Sequence, residues 1–224
     1  MNYVLFDLFI TSFFILWVFY VITVISKKVY SYSLSKNYDE ISARYLSRKT
    51  IHILAGGVVA VFVPFVYKEP VTPFILSLIL TVLLLFNRRQ KKMMGWFQEA
   101  GNFYEVDFTI MWGLSILVGW FFDKTLWLGV LPAIYMSVGD GVTGIVRIII
   151  SKKRYKGIEG SLAMFISILP FSIIMGYGGL ISAFAGTLAE KQNFIDDNIA
   201  VPVVSLLILI LFRTIYPQLL KGFY

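Results

Sequence analysis

Asp140 stands between Gly139 and Gly141 inside the apolar run Tyr135–Ile150. A carboxylate at membrane depth is costly unless it is paired or solvated, so ionisable groups kept there usually have a function. If the segment is helical, Asp140, Thr143, Gly144 and Arg147 fall at i, i+3, i+4 and i+7, one stripe on one face. The small residues between the two charges leave room for a ligand or a close neighbouring helix. The bland use of Asp140 would be an ion pair with Arg147. Gly139, Gly141 and Gly144 also spell G-x-G-x-x-G, but that dinucleotide fingerprint needs a preceding strand and a soluble βαβ unit, and here a membrane span precedes it.

Three further stretches carry chemistry. In Ser47–Gly57, Arg48, Lys49 and the single histidine, His52, share one helical face. A guanidinium fork and an ammonium beside an imidazole suit phosphate oxygens. In Lys153–Phe165, a basic loop enters an apolar run at Glu159 and Ser161. Lys156 donates, and Gly157 and Gly160 allow close backbone approach to a phosphate. In Leu188–Pro202, Glu190 closes one apolar run while Asp197 and Asn198 open the next. Singly these are ordinary anchors and helix caps. Jointly they supply cations, carboxylates for Mg²⁺ and a base, the parts phosphoryl transfer requires.

The elements that must position these residues are membrane helices. Of the 224 residues, 58% are hydrophobic and 15% charged, against about a quarter charged in soluble domains. Eight apolar runs are expected to span as helices, at about 4–25, 51–67, 71–87, 106–122, 125–146, 160–178, 180–190 and 199–216. The seventh is short. The first lacks a basic leader and is too long for a signal peptide, so it reads as a retained span. The fold class is therefore all-α and polytopic, with a single membrane domain. Residues 1–43 form a leading span and basic connection.

All 20 Lys and Arg residues except Lys68, Lys124, Arg213 and Lys221 fall in or beside alternate connections. That bias places those connections in the cytoplasm and both termini outside. All acidic residues except Asp7, Glu69 and Asp123 share that side, so carboxylates and cations meet on one face. The net charge of +7 reports orientation and anionic lipid rather than nucleic acid. There is no cysteine, which excludes disulfides and thiolate metal sites. No Walker A string, zincin motif or nucleophile elbow occurs.

These residues resemble the CTP-dependent polyprenol kinase family, which includes dolichol kinases, phytol kinases and CTP-dependent diacylglycerol kinases and is related to phosphatidate cytidylyltransferases. Arg48, Lys49 and His52 match an R-K-x-x-H step, and Gly139–Asp140 a G-D step. Lys156, Glu159, Gly160, Ser161, Ala163, Met164 and Phe165 match K-x-x-E-G-S-x-A-M-F. Glu190, Asp197, Asn198 and Pro202 match E…D-N-x-x-x-P. The match runs in order over about residues 44–210, which the resemblance implies form a kinase-like catalytic core. It departs at Thr143, where a small Ala is usual, at Arg147, often Gly, at Gly157, commonly Ser, and in a short loop before Glu159.

The resemblance implies transfer of the γ-phosphate of CTP to a long-chain isoprenoid alcohol in the bilayer. Asp140 and Glu159 would serve Mg²⁺ or act as base, with Glu190 a further metal ligand and His52 orienting a phosphate or carboxylate. Arg48, Lys49 and Lys156 would hold phosphates, and Gly139, Gly144, Ser161, Asp197 and Asn198 would complete the nucleotide site. The protein would lie in the cell membrane of a prokaryote or the endoplasmic reticulum of a eukaryote. Two alternatives stay open: a cytidylyltransferase, with attack at the α-phosphate, and an ion-coupled transporter using Asp140, Glu190 and His52 as a relay.

Overall fold

In a computed structural model, residues 3–151 and 155–222 are described, with side chains from residue 7 onward. Lys152, Lys153 and Arg154 of the basic loop lie outside them. The described residues form helices and connections without a strand. The helices are α1 (Tyr3–Tyr20), α2 (Ser26–Ser35), α3 (Glu40–Ile51), α4 (Val58–Val66), α5 (Val71–Arg89), α6 (Tyr104–Phe122), α7 (Trp127–Ile134), α8 (Asp140–Ser151), α9 (Ile158–Ser172), α10 (Gly176–Lys191) and α11 (Asp197–Ile215).

Single π-helical turns join three pairs into longer rods: Val21–Ile25 between α1 and α2, His52–Gly57 between α3 and α4, and Tyr135–Gly139 between α7 and α8. Such turns are rare and recur at functional sites. Here one begins at His52 and another ends next to Asp140.

Seven helical stretches among the described residues are long and apolar enough to cross a membrane. The chain is thus an all-α polytopic membrane protein. The sixth stretch, Ile158–Lys191, is a hairpin. Gly176 takes φ +56°, and α10 returns along α9, so that Lys156 beside the start of α9 donates to the Glu190 carbonyl at 2.6 Å. The short segment expected at 180–190 is this return leg.

The rod α7–α8 runs through the middle and is the most enclosed. Leu128, Leu131, Ile134, Tyr135 and Met136 are fully buried in the main core. Large apolar side chains on the outer helices, including Phe9, Leu16, Phe121 and Ile166, are exposed, as a lipid-facing surface requires. Helices α6 and α7 cross at Gly119 and Gly129, where a Cβ on Gly119 would run into the Gly129 backbone.

Contacts sort the connections into two ends. At one end Arg44 Nε donates to the Gly95 carbonyl at 2.7 Å and Asn198 Nδ2 to the Tyr104 carbonyl at 3.2 Å. At the other, Arg213 meets Asp123 at 3.5 Å. The connections 36–39, 88–103 and 192–196, with the basic residues in and beside them, therefore share one end of the bundle.

Replacing Gly119 with Leu is expected to lower stability in detergent by about 1–3 kcal/mol through overpacking. The lipid-facing change Leu83→Ala should shift it by less than about 0.5 kcal/mol. Thermal unfolding of the purified variants measures both.

Candidate active site

At the basic end, three carboxylates from three helices converge. Asp140 on α8, Glu190 at the end of α10 and Asp197 at the start of α11 bring one oxygen each within 4.8 Å of one another. Each has its own cation. Lys49 on α3 donates to Asp140 Oδ2 at 2.5 Å. Arg147 forks onto Glu190, with Nη1 to Oε1 at 2.6 Å and Nη2 to Oε2 at 3.0 Å. Lys156 donates to Asp197 Oδ1 at 2.8 Å and also to the carbonyls of Glu190 and Gln192.

Local sequence explains the geometry. Gly144 is open because Lys49 lies across it: a Cβ there would stand 2.8 Å from two carbons of the lysine stem. Gly139 sits equally close to Met164 and Ile168 of α9. Both glycines act through packing that seats the charged groups. Gly160 gives the Arg147 guanidinium its place, and its carbonyl accepts from Thr143 Oγ1 at 3.1 Å. So Arg147 pairs with Glu190 and not with Asp140. Asp196, not Asp197, caps α11, accepting from Asn198 N–H at 2.8 Å. That leaves the Asp197 carboxylate for the cluster.

His52 is 2% exposed and stacks on Phe108 at 4.0 Å between centroids. Its Nδ1 is 3.5 Å from Asp140 Oδ2, at the outer edge of hydrogen bonding, and neither ring nitrogen has a hydrogen-bond partner among the described residues. Arg48 is buried over the Tyr104 ring at 4.5 Å, and its Nη1 is 3.9 Å from Glu99 Oε1 with no hydrogen bond. Orphaned buried atoms collect here: Arg147 Nε, Glu159 Oε2, Ser161 Oγ and Asn198 Oδ1 join those of Arg48 and His52. Buried polar atoms without partners are uncommon, and their number at this end makes it the candidate site for a polar ligand.

Glu159 stands apart from the three-carboxylate group. It occupies the first turn of α9 and faces Tyr155, whose phenol the neighbouring carboxylate holds above its ordinary pKa. The connection 88–103 contributes residues that the sequence did not single out. Arg88 donates to Glu105 Oε1 at 2.9 and 2.6 Å, and Gln98 Nε2 donates to the same oxygen at 2.7 Å. This knot forms the wall beside Arg48. Its only signal in the sequence was the grouping of acids with bases on one side.

The fold and site together define a polytopic membrane protein with a cation–carboxylate cluster at one end of its bundle. Over 217 aligned positions the chain is 30% identical to "Probable phytol kinase 2, chloroplastic" of Glycine max, covering 80% of this chain and 70% of that protein. The chain belongs to the phytol kinase family. No family model matches it, and no solved structure does.

Removing one partner of a buried ion pair strands the other, at a cost of about 3–5 kcal/mol. Lys49→Met alone is expected to destabilise by that amount, and Lys49→Met with Asp140→Asn by clearly less. Unfolding of the two variants in detergent compares them.

Proposed function

We propose that the chain is a lipid-alcohol kinase that transfers the γ-phosphate of CTP to a long-chain isoprenoid alcohol, with Mg²⁺ at the three-carboxylate cluster. The observation that carries this reading is the meeting of Asp140, Glu190 and Asp197 with Lys49, Arg48, Arg147 and Lys156 at one end of the bundle. The similarity to a phytol kinase supports a prenol acceptor. The excess of basic residues at that end supports a cytoplasmic orientation for it, with the nucleotide arriving from that side and both termini outside.

The donor set fits the ion. Mg²⁺ takes one or two carboxylates together with substrate phosphate oxygens, and Asp140 and Asp197 supply them, with Glu190 held by Arg147 as a third. When bound, Mg²⁺ neutralises charge on the phosphate oxygens. Arg48 and Lys156 lie where they can hold the phosphates, and Ser161 Oγ and Asn198 Oδ1 offer further polar contacts.

His52 is the base. Asp140 Oδ2 lies 3.5 Å from Nδ1 and Phe108 stacks on the ring, leaving Nε2 for the alcohol. The alcohol oxygen attacks the γ-phosphorus, the bond from that phosphorus to the β–γ bridging oxygen breaks, and CDP leaves. The hydroxyl proton passes to His52 and from there to water. Glu159, off the cluster, contacts the nucleotide rather than the ion. An ion relay would need carboxylates reachable from both ends, and these gather at one.

With γ-labelled CTP and a prenol, the purified protein is expected to label the lipid, and chelation of divalent ions to stop it. Asp140→Asn should lower transfer by at least about a hundredfold while still inserting. Full activity in that variant removes Asp140 from the chemistry. A cytidine-bearing lipid product would point to cytidylyl transfer instead.

A further inference from the structure

A cavity of about 370 Å³ lies between α1, the rod α3–α4, α5 and α6. Its walls are almost wholly apolar, drawn from residues such as Val18, Ala55, Val59, Leu80, Phe108 and Trp112. It runs from Arg48 and His52 at one end to Tyr67 and Pro73 at the other. From Arg48 to Tyr67 the rod rises roughly 28 Å at 1.5 Å per residue, close to the thickness of a bilayer's hydrocarbon core. Tyr67 closes the far end, its hydroxyl 2.9 Å from Thr11 Oγ1. Helices α1 and α5 flank the opening without packing closely on each other. Ile15, Phe19, Ile79 and Leu83 along that rim are exposed.

The polar end is what identifies the occupant. His52 and Arg48 are 2% and 3% exposed, both line the cavity together with Glu105, and both carry nitrogens without a hydrogen-bond partner among the described residues. An apolar channel of membrane length ending in buried, unpartnered donors matches one chemistry: a single hydrocarbon chain with a polar oxygen at its tip. The volume sits at the small end of the range for ligand pockets, about 300–1,000 Å³, which suits one chain. The imidazole joins the two regions, since the ring that lines the cavity also faces Asp140 at 3.5 Å.

We propose that this groove is the acceptor-tail site. A single-chain lipid alcohol slides in from the bilayer between α1 and α5, lies along α3–α4 with its tail towards Tyr67, and presents its hydroxyl to His52. The assignment rests on the kinase reading for the fate of the hydroxyl, but the binding itself does not. Because entry is lateral, the chain never leaves an apolar environment. Val59 and Leu80, midway along, set how much tail can be accommodated.

Two measurements test this. First, a prenol with a diazirine at its tail end is photolysed with the wild-type protein in lipid nanodiscs. Adducts are expected near Tyr67, Pro73 and Leu76 and should be competed by unlabelled prenol. Adducts only on outer lipid-facing residues such as Phe9 and Ile166 would overturn the site, as would equal competition by a two-tailed diacylglycerol. Second, Val59→Trp and Leu80→Trp are assayed with long and short prenols. The KM for the long prenol should rise about tenfold, the loss of contact with roughly two chain carbons, with the KM for CTP and for the short prenol unchanged. An unchanged KM for the long prenol in both variants would also sink the proposal. If wild-type protein phosphorylates no alcohol, the kinase reading fails and the cross-linking still decides the groove.

Discussion

The pairing of Lys49 with Asp140 joins segments 91 residues apart and holds the rest of the polar end in register. Two ions taken out of water must recover their hydration from each other and from nearby dipoles. This is possible only because α3 and α8 come close enough for the lysine to lie flat across Gly144. Once that contact is made, His52, one turn further along, meets the same carboxylate. The return of α10 and the start of α11 can then bring Glu190 and Asp197 to it. A buried pair of this kind adds little net stability; its value here is that it admits one arrangement of the helices.

The cluster is balanced in charge, with three carboxylates and three cations in three separate pairs. Under the proposed function, the two lysine pairs can be exchanged for better ones: a carboxylate for an ion, a lysine for a phosphate. Arg147 differs. Its fork engages both oxygens of Glu190, and bidentate guanidinium–carboxylate pairs are the more persistent kind. Arg147 and Glu190 therefore act as a fixed post beside two exchangeable pairs.

Much of this was legible in the sequence, because lipid restricts the chain to helices and charges in apolar runs are conspicuous. The runs, the shared side of the basic connections and the clustering of motif residues could all be read from residue types and order. What could not be read was partnership. Asp140 has Arg147 seven residues away, yet takes Lys49 from a distant helix, because the side-chain direction of α8 turns Arg147 towards Gly160 and Glu190. Asp197 is left for the cluster because Asp196 takes over the capping of α11, a choice between adjacent aspartates that no pattern reveals. The π-helical turns were also hidden, since they leave no compositional mark. The groove was invisible for a plainer reason: Val, Leu and Phe look the same whether they face lipid, a core or a bound chain.

The hairpin of α9 and α10 carries a further implication. The α10 leg holds 16 residues, or about 24 Å of rise, against a hydrocarbon layer of about 30 Å, while α9 runs on through the 3-10 turn Ile173–Met175. Their ends are also polar, with Glu159 on one and Glu190 on the other. A leg shorter than the layer is met by thinning of the surrounding lipid or by snorkelling of its flanking residues, a mismatch that sorts proteins among membranes. Where the lipid thins, water and headgroups reach further down towards the carboxylates, so the site can be wet while still lying below the average plane of the membrane surface.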